Sequence, residues 1–411
     1  MINLKPEIFI ERFWFRYRNT LLWVAVFLMI LAGAQRLPNE FHRLLFDQGK
    51  DGAIDLKYRY KDVERWFGGL PVYQDKDAIY PPASYLMLWP LLGWLTQDHA
   101  RWLWAVTSVA AMIWLMILMA KESQAEGLSQ RLFIAMLVPS IYATGATIGN
   151  GQLIVHLLPF LITAMLLIQR KDSWASDLLA TLFFLVALVK PALAAPFFWI
   201  LMFSPRRWRP FVLTTIGYSI LTILAIIPQD FALGSLISDW LARGSAAAVR
   251  GGYANVHSWL ALLQLQQWIL PASLLLLMVL GLWIFRYRNS DLWLLMGVTA
   301  YFARFWIYHR LYDDLLVVVP MVSLFQIARQ NSSASHRVCA GIILGINWAA
   351  ALAPARLLSF SAPFNILFEA LQVSVWLMGL VFLVYIAGKG KPQQVEMDSG
   401  LRSLSDRLTK S

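Results

Sequence analysis

The chain opens its architecture with LLWVAVFLMILAGA (21–34), followed by LPNEFHRLLFDQGKDGAIDLKYRYKDVERWFGGLPVYQDKDAIY (37–80). The first stretch belongs to an apolar run, 20–36, of the length that crosses a hydrocarbon core. The second carries Glu40, Asp47, Asp51, Asp55, Asp62, Glu64, Asp75 and Asp77 beside seven Lys/Arg, in a chain only 14% charged. So dense a set of ionisable groups must face water. A membrane span that runs into a polar loop of this kind is the pattern of chemistry done at a membrane surface.

Working outward, 59% of the residues are apolar and 19 are Trp, which points to an all-α polytopic membrane protein. Segments long enough to span are expected at 20–36, 101–120, 131–148, 152–168, 211–228, 257–285, 292–307, 311–328, 338–354 and 364–387. Arg12, Arg16 and Arg18 precede the first run and no small-residue cleavage site follows it, so it reads as a retained signal anchor. Residues 1–388 read as one membrane domain and 389–411 as a disordered polar tail. The lone Cys339 reads as an inert core thiol. The net charge of +11 sits in short loops and the termini, as the positive-inside rule requires, which excludes nucleic acid as its explanation.

Two further apolar stretches are broken by proline, 81–96 at Pro90 and 178–203 at Lys190–Pro191. If the basic loops all lie in the cytoplasm, neither broken stretch crosses once, and both dip in and return. The loop 37–80, Gly145–Gln152, Lys190, the loop 229–256 and Arg304–Asp314 then share the outer side around a cavity.

Candidate site residues follow. Leu56–Gly68 reads as a helix lying on the membrane, with Tyr58, Val63, Trp66 and Phe67 on its apolar face. Asp55 at its edge is an N-cap, a positioned carboxylate, or both. Lys190 is isolated in an apolar run and is either a functional cation or a side chain snorkelling to the interface. Arg304, His309, Arg310, Asp313 and Asp314 form a charged cluster before the 311–328 span. Arg250, in a glycine-flanked loop, is a phosphate cation or an ordinary solvated charge. Asn150 and Gln152 either contact a sugar or satisfy backbone at a helix start. No metal-binding cluster, cofactor motif or nucleotide-sugar motif is present.

These residues carry a resemblance. Asp55-Leu-Lys-Tyr58-Arg-Tyr60, with Gly69 and Tyr73 at 14 and 18 residues beyond Asp55, then Tyr80-Pro81-Pro82 and Pro90-Leu91, resemble the first-loop pattern of glycosyltransferase family 87. Gly149-Asn150-Gly151-Gln152, Lys190–Pro191 and Tyr308-His309 to Tyr312-Asp313 are similar to later landmarks of the family in the same order. The resemblance, over roughly residues 20–330, implies a GT-C-type transmembrane bundle with a large first extracytoplasmic loop, in the inner (plasma) membrane of a bacterium. It implies inverting transfer of a hexose, mannose foremost, from a polyprenyl-phosphate donor to a lipid or glycan acceptor on the extracytoplasmic face. Asp55 matches the catalytic base. Lys190, His309, Arg250 and Arg304 would hold the donor phosphate, and Tyr58, Tyr80, Asn150, Gln152 and Asp313 would contact substrate, with no metal or other cofactor. The rival readings are a lipid or small-molecule transporter, and a polysaccharide polymerase or ligase with a diphosphate-linked donor.

Overall fold

The computed structural model describes residues 6–75, 77–169, 173–205, 208–229, 232–250, 255–307, 309–352, 361 and 363–389. The proposed tail beyond Lys389 lies outside them. The described residues form helices and no strand: α1 (Pro6–Leu45), α2 (Ile54–Phe67), α3 (Pro82–Leu92), α4 (Gln97–Glu122), α5 (Gly127–Ser140), α6 (Tyr142–Asn150), α7 (Ile154–Gln169) and α8 (Trp174–Ala187). After these come α9 (Pro191–Ala194), α10 (Phe198–Met202), α11 (Arg209–Ile226), α12 (Leu233–Arg250), α13 (Val256–Leu262), α14 (Ile269–Tyr287), α15 (Leu292–Trp306), α16 (Val318–Gln330), α17 (Ala334–Leu352) and α18 (Phe364–Lys389). A 3₁₀ segment, Leu311–Val317, leads into α16.

Among the described residues, six helices are long and apolar enough to cross a membrane, or seven if the bent pair α5–α6 counts as one span. This is fewer than the ten expected: the runs at 152–168 and 292–307 fold into helices shorter than a full span, and α17, from the run at 338–354, is not among those that qualify. The run at 257–285 is broken after α13, where Gln264 takes a left-handed φ of 59°. Exposed Trp23, Phe27, Ile30 and Leu31 on α1, and Leu275, Met278 and Leu282 on α14, present apolar surface outward. That surface suits lipid, since lipid tails solvate it as well as a protein neighbour does. Cys339 is exposed on α17, so it is not the core thiol that its apolar context suggested.

α1 packs on α5 and α6, α4 on α5 and α7, α7 on α8, and α15 on α16 and α18. The 3₁₀ segment and α16 are enclosed on nearly every side. With 40 residues, α1 is about 60 Å long at 1.5 Å per residue, twice a ~30 Å hydrocarbon core. Its last turns, residues 37–45, therefore continue as helix into what the sequence suggested was loop. Pro90 falls in the last turn of α3 and does not break it. The second broken stretch does break at Lys190–Pro191, where α8 has ended and α9 begins. The segment 229–256, expected as a flexible loop, contains the 18-residue amphipathic helix α12.

α5 and α6 meet at 44° because Ile141 is extended between them. Carbonyls freed at this break need partners in an apolar setting. Arg36 of α1 donates to the Ser140 carbonyl at 2.9 Å, and the Thr144 hydroxyl donates to the Val138 carbonyl. The bend carries the C-terminal end of α6 toward α2.

Candidate active site

α2 starts without a side-chain cap, from Ala53 at φ 51°. The Ala53 N–H donates to the Gly149 carbonyl at 3.1 Å, which ties the start of α2 to the end of α6. Asp55 is therefore not the N-cap residue; it lies in the first turn, where an acidic side chain meets the positive end of the helix dipole. The segment before α2 is anchored by buried Arg101 of α4, which donates to the Asp47 carbonyl at 2.6 Å and the Gly52 carbonyl at 3.2 Å.

Gly151 ends α6 at φ 69°, in a left-handed turn where its N–H and that of Gln152 bond back to Ile148 and Thr147. A Cβ here would stand 2.5 Å from Leu56 Cβ. Glycine thus serves both the turn and the approach of α2. The contact puts buried Gln152 against Asp55, and the two side chains are hydrogen-bonded.

The buried face of α2 holds Leu56, Val63 and Trp66 together with Arg59 and Asp62. The helix does not simply lie on the membrane: residues 71–80 cover it, and charges expected to face water are enclosed. Arg59 pairs with Asp62 at 2.9 Å, donates to the Asp77 carbonyl at 2.7 Å, and stacks 4.4 Å over the Tyr80 ring. Burial raises the carboxyl pKa of both Asp55 and Asp62. At Asp55 the Gln152 hydrogen bond, and then the Arg59 and Lys190 charges, oppose that rise; at Asp62 the Arg59 charge does.

Across from α2, Lys190 caps α9 and is buried, with its ammonium bonded to Asp313 and 5.1 Å over the Tyr312 ring. Asp313 also accepts the Arg310 N–H at 3.1 Å, which fixes the carboxylate at the start of the 3₁₀ segment. Tyr80 is held in turn, since its carbonyl accepts the Tyr73 hydroxyl at 2.8 Å.

Asp55, Tyr58, Tyr80, Asn150, Gln152, Lys190 and Asp313 all line one cavity of about 840 Å³. Seven of the ten residues singled out from the sequence thus meet in one place. Arg304 and His309 do not line it. Arg304 is drawn inward by Asp314, whose other oxygen accepts the Tyr142 hydroxyl, and it stacks 4.9 Å from the Trp376 ring. His309 is buried, with Nδ1 on the Ile307 carbonyl at 2.9 Å. From the same cluster Arg310 reaches the cavity instead. Arg250 ends α12, and its side chain lies outside the described residues.

Arg59 also lines the cavity and was not singled out from the sequence, although it follows Asp55 by one helical turn, a spacing that puts both on one face. The opposite wall is apolar: Ile269, Leu270, Leu274 and Leu277 lie along one face of α14, relieved by His257 hydrogen-bonded to Ser273. No group of three or more metal-ligating side chains occurs among the described residues.

Helices long enough to cross a membrane hold a cavity in which a carboxylate and buried cations share the lining, an arrangement suited to chemistry on a polar group. The sequence profile of glycosyltransferase family 87 matches residues 78–328, more than half of the 411-residue chain. The protein belongs to that family and is a membrane glycosyltransferase. No curated protein and no solved structure matches it. The matched span contains Asn150, Lys190 and Asp313, while Asp55 and Tyr58 precede it.

Proposed function

We propose that the protein transfers a hexose, mannose foremost, from a polyprenyl phosphate to a lipid or glycan acceptor, with inversion, on the extracytoplasmic face of a bacterial plasma membrane. The observation that carries this reading is that Asp55 and Lys190 face one cavity whose far wall, along α14, is apolar. A donor with a charged head and a hydrocarbon tail matches such a division.

In the proposed reaction the acceptor hydroxyl oxygen attacks the anomeric carbon from the face opposite the phosphate. Asp55 takes the hydroxyl proton, and the carbon–oxygen bond to phosphate breaks with its electron pair left on the phosphate. The products are a glycoside and a lipid phosphate. Gln152 holds the Asp55 carboxylate in place, and a pKa raised by burial brings that base nearer to neutral pH, where proton transfer is most effective. Lys190, aimed by Asp313, supplies charge where the leaving phosphate develops its own. Arg310 is the second cation at this site in place of Arg304, and His309 supports the Asp313 segment from behind. Tyr58 and Tyr80 offer ring faces and hydroxyls to the sugar.

The test is transfer by purified protein from a panel of radiolabelled polyprenyl-phosphate and polyprenyl-diphosphate sugars. Turnover with the monophosphate mannose donor supports the reading. Turnover with diphosphate donors alone would assign a polymerase or ligase chemistry instead.

A further inference from the structure

Asn150 reaches the cavity with its side chain already committed. Arg43, in the last turn of α1, donates from Nη2 to the Asn150 side-chain oxygen at 2.6 Å. A guanidinium has donors and no acceptor, so the amide atom that faces it is the oxygen and the amino group turns the other way. Among the described residues that amino group has no protein partner, and Asn150 lines the cavity. Arg43 is itself clamped by Glu40, one turn earlier on α1, at 3.1 Å. A Cβ on Gly149 would stand 1.9 Å from Glu40 Oε2 and 2.5 Å from Arg43 Nη2, so a side chain there would push aside the ends of this pair.

A carboxamide is nearly symmetric in shape, and without an external partner it can offer either its oxygen or its nitrogen. Beside the Asp55 carboxylate the difference matters. An outward oxygen adds a second set of lone pairs and repels substrate oxygens, whereas an outward amino group attracts them. We propose that Arg43, held by Glu40, is a positioning residue that fixes Asn150 as a hydrogen-bond donor to an oxygen of the sugar-phosphate donor. The proposal rests on the reading of this cavity as the transfer site. The oxygen belongs either to the phosphate or to the sugar.

Asn150→Asp separates this role from a structural one, because it keeps the Arg43 contact as an ion pair and removes both N–H donors. With polyprenyl-phosphate mannose as probe, the variant should melt at or above the wild-type temperature while KM for donor rises tenfold or more. A wild-type KM would overturn the proposal. Arg43→Ala should raise that KM in the wild-type background and leave it unchanged in an Asn150→Ala background; additive effects would show that Arg43 does not act through Asn150. Weaker inhibition of Asn150→Asp by free undecaprenyl phosphate places the contact on the phosphate, and unchanged inhibition places it on the sugar. If wild-type protein does not use this donor, the donor reading fails by itself. The same variants are then scored by mass spectrometry of envelope glycolipids in a deletion strain. There the proposal expects loss of product in Asn150→Asp and non-additivity of Arg43→Ala, and wild-type product levels in Asn150→Asp would overturn it.

Discussion

Asp55→Asn retains size and the contact with Gln152 but loses the proton acceptor, so folding and thermal stability should match wild type while turnover falls by ~10²–10⁴. Retained turnover would move the base elsewhere. In the wild type, kcat/KM should fall as acid protonates Asp55. Because burial raises its pKa above the ordinary value of 3.8, this loss should begin at a higher pH than for an exposed carboxylate. A pH–rate profile whose acid limb sits at or below the ordinary value would contradict the assignment. Lys190→Ala should weaken product inhibition by free polyprenyl phosphate by roughly tenfold or more, the effect of losing a charge-assisted contact worth ~1.5–3 kcal/mol. Unchanged inhibition would place the phosphate nearer Arg310. Lys190 was legible in the sequence because a charge inside an apolar run costs free energy that only function or pairing offsets, and Asp55 because it opens a helical pattern at a fixed spacing from Gly69 and Tyr73. Arg59 and Asp62 were not, because their burial follows from residues 71–80 folding over α2, a contact that periodicity does not encode.

Among the elements, the turn from α6 toward α2 most directly sets the site. Gly149 gives way to Glu40 and Arg43, Gly151 to Leu56, and between them Asn150 and Gln152 are delivered to the cavity. The sequence showed the glycines but not what they approach, because α1 and α2 meet α6 only in the folded bundle. Gly151→Ala forces a side chain into a left-handed conformation and against Leu56 Cβ, 2.5 Å away. It should cost at least ~1–2 kcal/mol from the backbone alone, read as a lower melting temperature in detergent, with a fall in activity as α2 shifts. An undiminished melting temperature would mean that the turn relaxes without loss. α12 departs from the expected loop for a related reason. Its glycines and small residues suggest flexibility, yet Trp240 donates to the Ile79 carbonyl at 2.9 Å and Arg243 donates to the Tyr73 carbonyl. Those bonds fix the helix against the 71–80 segment that covers α2.

At the scale of the whole molecule, charge separates the two ends of the bundle. α4 begins where Arg101 holds the Asp47 and Gly52 carbonyls and runs 26 residues to Glu122, about 39 Å away at 1.5 Å per residue. There Gln326 and Arg329 of α16 meet the Glu122 and Gln124 carbonyls. α16 therefore runs from the cavity end to the far end, and α15, packed on it, runs back. Lys121, Arg286, Arg288 and Arg329 fall at the far end, the distribution that the positive-inside rule assigns to the cytoplasm. If that end is cytoplasmic, as the proposed function requires, the cavity opens on the opposite face of the membrane. In a Cys339→Ser background, which alters only an exposed thiol, single cysteines at Asp51 and Arg310 should react with an impermeant maleimide on intact cells. Cysteines at Lys121 and Asn289 should react only after the membrane is opened. The four positions are exposed, so failure to label cannot be laid to burial. The paired positions at each end guard against a local distortion at one of them. The reverse pattern at all four would turn the enzyme over, place the cavity in the cytoplasm, and require a donor presented from the inner leaflet.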